Sequence, residues 1–258
     1  MSKSVAAIAM AGALLSGAAS ARAAEPAKPT IVLVHGAFAD SSSWNGVIEI
    51  LREDGYPVVA AANPLRSVSG DAAYVSSLVA GIDGPVVLVG HSYGGQVITT
   101  AANGRDNVKS LVYVAAFAPD SGEAAAELAG KFPGSTLGAA LAPPVPLAAG
   151  GVDLYIDQAK FRQQVAQDVP EDEAALMAAG QRPIAEAALT EKSGEPAWKR
   201  LPSWFVYGEG DHNIPAQALA FMAERAGSKR TVAIADASHV VMVSHPREVA
   251  ELIEQAAE

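Results

Sequence analysis

The sequence predicts an α/β fold with a doubly wound, mostly parallel sheet and a small, mainly helical lid. Three observations support this prediction. Apolar runs of strand length alternate with amphipathic segments of helix length, which is the order that parallel strands with crossover helices require. Half of the 258 residues are hydrophobic and only 18% are charged, so the chain can cover both faces of a sheet. The alternation stops near residue 120 and resumes near residue 198.

Residues 1–23 are predicted to form a secretory signal peptide. Lys3 provides a short basic region, an Ala-rich apolar run extends from Val5 to Leu15, and residues 21–23 form an A-x-A-like end. The run is short and is broken by glycine and serine, so a permanent membrane anchor is the weaker alternative. Residues 24–29 would be a flexible leader. A chain without cysteine needs no disulfides, which suits the expected export to a bacterial periplasm or to the medium.

The core is predicted in two parts, residues 30–119 and 198–258. A buried strand from Thr30 to His35 precedes a helix whose apolar residues recur at helical spacing from Ser43 to Gly55. The next predicted elements are a strand at 56–62, a helix at 70–82, a strand at 85–90 and a strand within 107–117. The second part holds a strand at 201–208, a helix at 215–226, a strand at 229–235 and a helix from Pro246, where proline fits the first turn.

Residues 120–197 are predicted to form the lid. Glycine and proline are frequent as far as Gly151, which is typical of loops. Short helical patterns follow near 158–166, 171–180 and 183–189. Because the strand and helix alternation continues after this segment, we expect an insertion over the sheet of a single core.

Gly90-His-Ser-Tyr-Gly-Gly95 lies where a buried strand ends and a helix begins, which is the position of a nucleophile elbow. A strained serine in such a turn tolerates only small residues two positions away on either side, and Gly90 and Gly94 provide them. The turn would raise the hydroxyl of Ser92 above the sheet and leave the N–H of Tyr93 at a helix start, facing a developing oxyanion. The alternative is a tight glycine-rich turn with an ordinary serine.

A serine hydroxyl needs a general base to become a nucleophile at neutral pH. His239 follows the last predicted strand, so it reaches the same sheet edge as Ser92 and is the predicted base. The other histidines are expected either to shape the site (His35 and His91) or to lie at the surface or a helix end (His212 and His245).

The base in turn needs a carboxylate that fixes its tautomer. Asp211 follows the strand Trp204 to Gly208 and precedes His239 by one helix and one strand, so all three side chains would lie at carboxyl strand ends. Asp211 is therefore the predicted acid. Asp120 is the alternative, since it also follows a strand, and Asp236 is expected to be a loop residue.

Five segments carry a resemblance to a known family: His35-Gly-Ala-Phe-Ala-Asp-Ser-Ser-Ser-Trp44, Gly90-His-Ser-Tyr-Gly-Gly95, Leu111-Val-Tyr-Val-Ala-Ala-Phe-Ala-Pro-Asp120, Gly208-Glu-Gly-Asp-His212 and Ala237-Ser-His239. Together they resemble the α/β-hydrolase superfamily, and within it the branch of plant methylesterases, hydroxynitrile lyases and their bacterial esterase-like relatives. The resemblance extends from about Thr30 to the C-terminus. It implies the α/β-hydrolase fold and a second oxyanion donor, the backbone N–H of Ala37, beside Tyr93.

The sequence departs from the lyases at two positions. They have a lysine after the catalytic histidine, where this chain has Val240, and a threonine after the first-strand histidine, where it has Gly36. Without a cation to hold a leaving cyanide, hydrolysis of small to medium esters is the predicted reaction, and it requires no cofactor or metal. Alternatives on the same triad are a lactonase, an amidase or a cofactor-free haloperoxidase. A ligand-binding protein that retains the triad is the alternative from another class.

The expected partner is a small-molecule ester. Phe38, Phe117 and Trp198 are predicted to line its pocket, although packing in the core or lid is the alternative for each of these aromatic residues. Tyr93 is a further candidate, whereas Tyr155 and Phe161 are weaker candidates. The net charge of −10 and the lack of any run of Lys or Arg argue against nucleic acid, and against membrane binding after signal cleavage. The oligomeric state stays open.

Overall fold

The computed structural model describes residues 28–258, so the predicted signal peptide and residues 24–27 of the predicted leader lie outside the described residues. The strands are β1 (Thr30–Val34), β2 (Val58–Ala61), β3 (Val86–His91), β4 (Val108–Val114), β5 (Val145–Pro146), β6 (Val152–Leu154), β7 (Ile184–Ala185), β8 (Ser203–Gly208) and β9 (Arg230–Ile234). The helices are α1 (Asn45–Glu53), α2 (Val68–Ala80), α3 (Tyr93–Ala101), α4 (Ala125–Ala129), α5 (Leu137–Ala140), α6 (Gln158–Val165), α7 (Glu171–Gly180), α8 (Glu186–Thr190), α9 (Ala216–Arg225), α10 (Val241–Ser244) and α11 (Pro246–Ala257).

Six strands form one parallel sheet in the spatial order β2-β1-β3-β4-β8-β9. Strand β3 is buried along its whole length because Val86-Val-Leu-Val89 presents apolar side chains to both faces. Helix α1 packs against α11, whereas α2 packs against α3, so separate helix layers cover the sheet. The predicted doubly wound α/β class is therefore confirmed. Among residues 28–258, no helix combines the length and the apolar character needed to span a membrane.

The strand order reverses at β1. From β1 the chain passes to β2 on one side and then returns to β3 on the other side. Open α/β sheets bind ligands at the carboxyl ends of the strands beside such a reversal. The carboxyl ends of β1 and β3 lead directly to residues 35–38 and to Ser92. The fold thus brings two of the predicted site segments to one point.

The residues between β4 and β8 contain the segment predicted to be a lid, residues 120–197, called the insertion below. It includes helices α4 to α8 and a small antiparallel sheet of β5, β6 and β7. The helical patterns near 158–166 and 171–180 correspond to α6 and α7. The third pattern is only partly helical, because Ile184 pairs with Leu154 in β7 before α8 begins.

Arg66 connects the insertion with the turn that follows β3. Its guanidinium binds the carboxylate of Asp153 at 2.5 Å and the carbonyl oxygen of Pro183 at 2.7 Å, both in the insertion. The backbone N–H of Arg66 and the hydroxyl of Tyr93 both donate to Asp71, at 3.2 Å and 2.9 Å. Burial raises the pKa of the Asp71 carboxyl, and these hydrogen bonds only partly offset that effect. The buried carboxyl of Asp71 therefore holds the residue next to Ser92 in place.

Candidate active site

Ser92 forms the turn between β3 and α3. Its φ of 52° and ψ of −122° lie in a region that residues other than glycine rarely adopt. The surrounding backbone is very close: a Cβ atom on Gly90 would lie 2.6 Å from the carbonyl oxygen of Gly94, and one on Gly94 would lie 2.4 Å from that of Val34. These distances explain why glycine occupies both positions beside the strained serine.

The hydroxyl of Ser92 faces a cavity rather than a protein partner. Ser92 is 6% exposed and lines a small cavity above the sheet. In the described part of the chain this hydroxyl makes no hydrogen bond, so the structure shows no direct bond between Ser92 and His239. Catalytic hydrogen bonds are often long in the absence of substrate and shorten when the complex forms.

His239 and Asp211 form a buried pair at the same sheet edge, on the loops that follow β9 and β8. Nδ1 of His239 lies 2.6 Å from Oδ2 of Asp211. The other carboxylate oxygen accepts the backbone N–H groups of Asn213 at 2.7 Å and Ile214 at 2.9 Å, which holds the carboxylate in one orientation. Since an ionised carboxylate only accepts, Nδ1 of His239 carries the proton and Nε2 is left as the basic atom.

The two other candidate acids lie elsewhere. Asp120 binds the ammonium of Lys199 at 2.7 Å, and its side chain is 34% exposed. The hydrogen bond from Lys199 lowers the pKa of Asp120. Asp236 is an exposed loop residue with a φ of 57°. Within residues 28–258, neither carboxylate bonds to His239, so of the three candidates Asp211 alone contacts the predicted base.

His91 attaches the backbone of His239 to the serine turn. Its Nε2–H donates to the carbonyl oxygen of His239 at 3.1 Å, and the two ring centroids are 4.8 Å apart. Burial lowers the pKa of His91 well below its usual value, and the neighbouring His239 adds to the effect. His91 is therefore neutral and serves as a fixed donor. From its place beside Ser92, His91 was expected only to shape the site.

The remaining histidines match their expected places. His35 is buried, its Nδ1–H donates to the carbonyl oxygen of Gly36 at 3.0 Å, and burial lowers its pKa. His212 lies on a partly exposed loop, and His245 is the residue before α11.

Two backbone N–H groups beside Ser92 have no hydrogen-bond partner among residues 28–258. Tyr93 is the first residue of α3, where the N–H has no partner within the helix. Ala37 lies in the loop after β1, and its N–H makes no hydrogen bond in the described part of the chain. Both residues line the same small cavity as Ser92. A hypothetical Cβ on Gly36 would lie 2.6 Å from Cβ of Ser92, so this loop contacts the serine turn directly.

Two cavities meet at the loop after β1. The small cavity has a volume of about 110 Å³ and is lined by Ser92, Tyr93, Phe117, Ala129, Leu137 and Ile214, among others. The large cavity has a volume of about 390 Å³ and is lined by Asp40, His91, Phe161, Glu173, Gly180 and Val240, among others. Ala37 and Phe38 line both.

The aromatic residues predicted for the pocket do not all line the same cavity. Phe38 and Phe117 line the small cavity, whereas Phe161 lines the large one. Trp198 lies outside both cavities. Its indole N–H donates to the carbonyl oxygen of Pro119 at 2.9 Å, and the guanidinium of Arg225 lies 5.6 Å from its ring centroid. Trp198 therefore packs against Pro119 and Arg225, and packing was the alternative assignment.

A comparison with protein families agrees with this geometry. A model described as the alpha/beta hydrolase family matches residues 31–252. The chain belongs to the alpha/beta hydrolase family. The family membership inferred from the five motifs is thereby confirmed.

Individual relatives of this alpha/beta hydrolase are distant. Alpha/beta hydrolase nvfD of Aspergillus novofumigatus is 26% identical over 257 residues, covering 89% of this chain and 97% of that protein. A carbendazim hydrolyzing esterase of Nocardioides sp. is 32% identical over 105 residues, or 36% of this chain and 43% of that protein. The crystal structure of polyneuridine aldehyde esterase has the same fold, with a TM-score of 0.77 at 19% identity, covering 90% of this chain and 100% of that one.

In this alpha/beta hydrolase the insertion holds both loops that carry the buried pair. Asp168 accepts the backbone N–H of Ser238 at 3.0 Å, next to His239. Burial alone would raise the pKa of Asp168, but hydrogen bonds from Ser238 and Ser244 outweigh it and lower the pKa. On the acid loop, Gln167 donates to the carbonyl oxygen of Gly210 at 2.6 Å, and Gln164 donates to the side chain of Asn213 at 2.8 Å.

These anchoring residues could not be predicted from the sequence. Asp168 and Ser238 are 70 positions apart, and the glutamines are more than 40 positions from their partners. No local pattern marks a polar residue whose partner is distant in the sequence. Among residues 28–258, no group of His, Asp and Glu side chains is arranged to hold a metal ion.

Proposed function

We propose that the protein is a serine hydrolase that cleaves small to medium carboxylic esters through an acyl-enzyme. Ser92 is the nucleophile, His239 the general base and Asp211 the acid that orients it. One observation carries this proposal: the buried bond of 2.6 Å between His239 and Asp211 lies at the sheet edge where Ser92 occupies a strained turn. A nucleophile, a base and an orienting carboxylate are the parts that acyl transfer needs.

The proposed reaction has two halves. The oxygen of Ser92 forms a bond to the ester carbonyl carbon while its proton passes to Nε2 of His239. The N–H groups of Ala37 and Tyr93 stabilise the oxyanion, the bond to the alcohol oxygen breaks, and the alcohol leaves with the proton from His239. Water then attacks the acyl-enzyme by the same route and releases the acid. Loss of one oxyanion donor in such sites costs roughly 3 kcal/mol of barrier.

The expected partner is a neutral or weakly polar ester, and the name of the Nocardioides relative, an esterase, agrees with this substrate class. The net charge of −10 argues against nucleic acid. The basic, apolar and small-residue pattern of residues 1–23 supports export of the mature protein.

A matched panel of substrates tests the proposed reaction. We expect p-nitrophenyl butyrate to be hydrolysed at least about tenfold above the uncatalysed rate, with p-nitrobutyranilide turned over much more slowly because its amine is the poorer leaving group. γ-Butyrolactone serves as the cyclic ester. Preferred hydrolysis of the lactone or the anilide would replace the proposed substrate class. No hydrolysis of any of the three, together with no labelling by a fluorophosphonate, would contradict catalysis itself and favour a ligand-binding protein.

A further inference from the structure

We propose that the substrate is an ester of a short apolar acid with a bulkier, neutral or cationic alcohol. The inference rests on the proposed function and assigns each half of the ester to one cavity. The acyl chain occupies the small cavity and the alcohol occupies the large one.

The small cavity fits a short apolar acyl chain. It is lined by Ser92 and both proposed oxyanion donors, so the ester carbonyl binds at its edge and the acyl chain can extend into it. Most of its lining is apolar, with Phe117, Leu137 and Ile214 among the larger side chains. Its volume of about 110 Å³ is less than a third of the 390 Å³ of the large cavity, so the smaller half of the ester belongs there. We expect it to take acyl chains about as long as butanoyl.

Two neighbours of the base line the large cavity. Val240, the residue after His239, lines it, and so does His91, which holds the backbone of His239. The leaving alcohol must receive its proton from His239, so the alcohol belongs on this side. At about 390 Å³ the cavity is within the range of sites for drug-sized ligands, roughly 300–1,000 Å³.

Charge in the large cavity restricts the alcohol further. Two exposed acidic residues, Asp40 and Glu173, line it, and no lysine or arginine does. The rest of the lining mixes polar groups such as Gln181 with apolar side chains such as Met177. An anionic alcohol would be repelled by these carboxylates, whereas a neutral or cationic amphipathic one would be accepted.

Phe38 separates the two cavities. It lines both of them, is 5% exposed and has a φ of 59°, which is rare for a residue with a bulky side chain. Its backbone N–H donates to the carbonyl oxygen of Arg182 at 3.0 Å, so the insertion holds it in this conformation. The adjacent Ala37 carries the proposed oxyanion donor. The ester carbonyl therefore sits at the boundary, with one half of the substrate on each side.

Two series of esters test the assignment. Along p-nitrophenyl acetate, butyrate and octanoate, we expect kcat/KM to fall at least about tenfold from butyrate to octanoate, because four further methylenes exceed the small cavity. In the series methyl, benzyl and 1-naphthylmethyl acetate, we expect kcat/KM to stay constant or to rise. A 4-carboxybenzyl acetate should be at least about tenfold poorer than the benzyl ester.

Paired variants locate each effect. Ala129→Leu fills the small cavity and should lower the butyrate to acetate ratio about tenfold, leaving the naphthylmethyl to methyl ratio as it is. Gly180 lines the large cavity, and a Cβ there would meet nothing within 4 Å, so Gly180→Leu should lower the naphthylmethyl to methyl ratio and leave the butyrate to acetate ratio unchanged. Leu137→Ala enlarges the small cavity and should raise kcat/KM for octanoate relative to butyrate. This variant tests the small cavity independently if Ala129→Leu fails to fold.

The outcomes separate this inference from the proposed function. If Ala129→Leu changes the alcohol ratio and Gly180→Leu the acyl ratio, or if wild type prefers long acyl chains, the cavity assignment is overturned while the hydrolase stands. If no ester in either series is hydrolysed and a fluorophosphonate does not label the protein, both the assignment and the proposed function are overturned.

Discussion

Ser92→Ala is expected to abolish ester turnover, with kcat falling roughly 10⁴- to 10⁶-fold while the fold is retained. Alanine leaves no oxygen to attack the carbonyl, and residual hydrolysis would come only from binding and from the two N–H groups. His239→Ala should produce a loss of similar size, because the nucleophile and base act as one unit. The measurement is p-nitrophenyl butyrate turnover, with circular dichroism to verify folding.

Ser77→Ala is the matched control for Ser92→Ala. Ser77 is exposed on α2, where its hydroxyl donates to the carbonyl oxygen of Ala73. Its replacement should leave turnover unchanged. Wild-type turnover in either Ser92→Ala or His239→Ala would refute the role assigned to that residue.

Asp211→Asn is expected to lower kcat roughly 10³- to 10⁴-fold. The amide has nearly the shape of the carboxylate, but it loses the charge that stabilises the imidazolium, and its NH₂ group can face His239 and favour the wrong tautomer. The hydrogen bonds from Asn213 and Ile214 show that this side chain also orders its own loop, so thermal unfolding should be measured alongside kcat.

Asp120→Asn is the comparison that makes this result specific. Asp120 bonds to Lys199 in a partly exposed ion pair, and such pairs contribute at most about 1 kcal/mol. We expect kcat to change less than about threefold, since nothing in this pair contacts the base. A larger loss of kcat in Asp120→Asn than in Asp211→Asn would transfer the role of acid to Asp120.

The parallel sheet could be predicted because its strands have strong local patterns. The uninterrupted apolar run before Gly90 identifies β3, and the glycines around Ser92 identify the turn that follows. The sheet edge that carries the site also followed from chain order, since the carboxyl ends of parallel strands meet at one edge of the sheet. The sequence predicted that Asp211 and His239 lie at the same sheet edge. It could not predict the hydrogen bond between them, because that bond depends on how the two loops fold.

Other features of the site depend on contacts that no local pattern encodes. Trp198 was predicted for the pocket as an aromatic residue near the end of the insertion, but its indole N–H binds the carbonyl oxygen of Pro119 instead. The third helical pattern begins as strand β7 because a partner strand is available. Asp168 anchors the base loop across 70 positions of sequence. Each outcome was decided by tertiary packing rather than by the propensity of the segment.

The crystal structure of the protein after reaction with a fluorophosphonate tests the central claim most directly. We predict a phosphorus bonded to Oγ of Ser92, a phosphoryl oxygen within about 3.2 Å of the N–H groups of Ala37 and Tyr93, and Nε2 of His239 within hydrogen-bond reach of Oγ. An adduct on another residue, or a His239 ring turned away from the modified serine while still bonded to Asp211, would contradict the account.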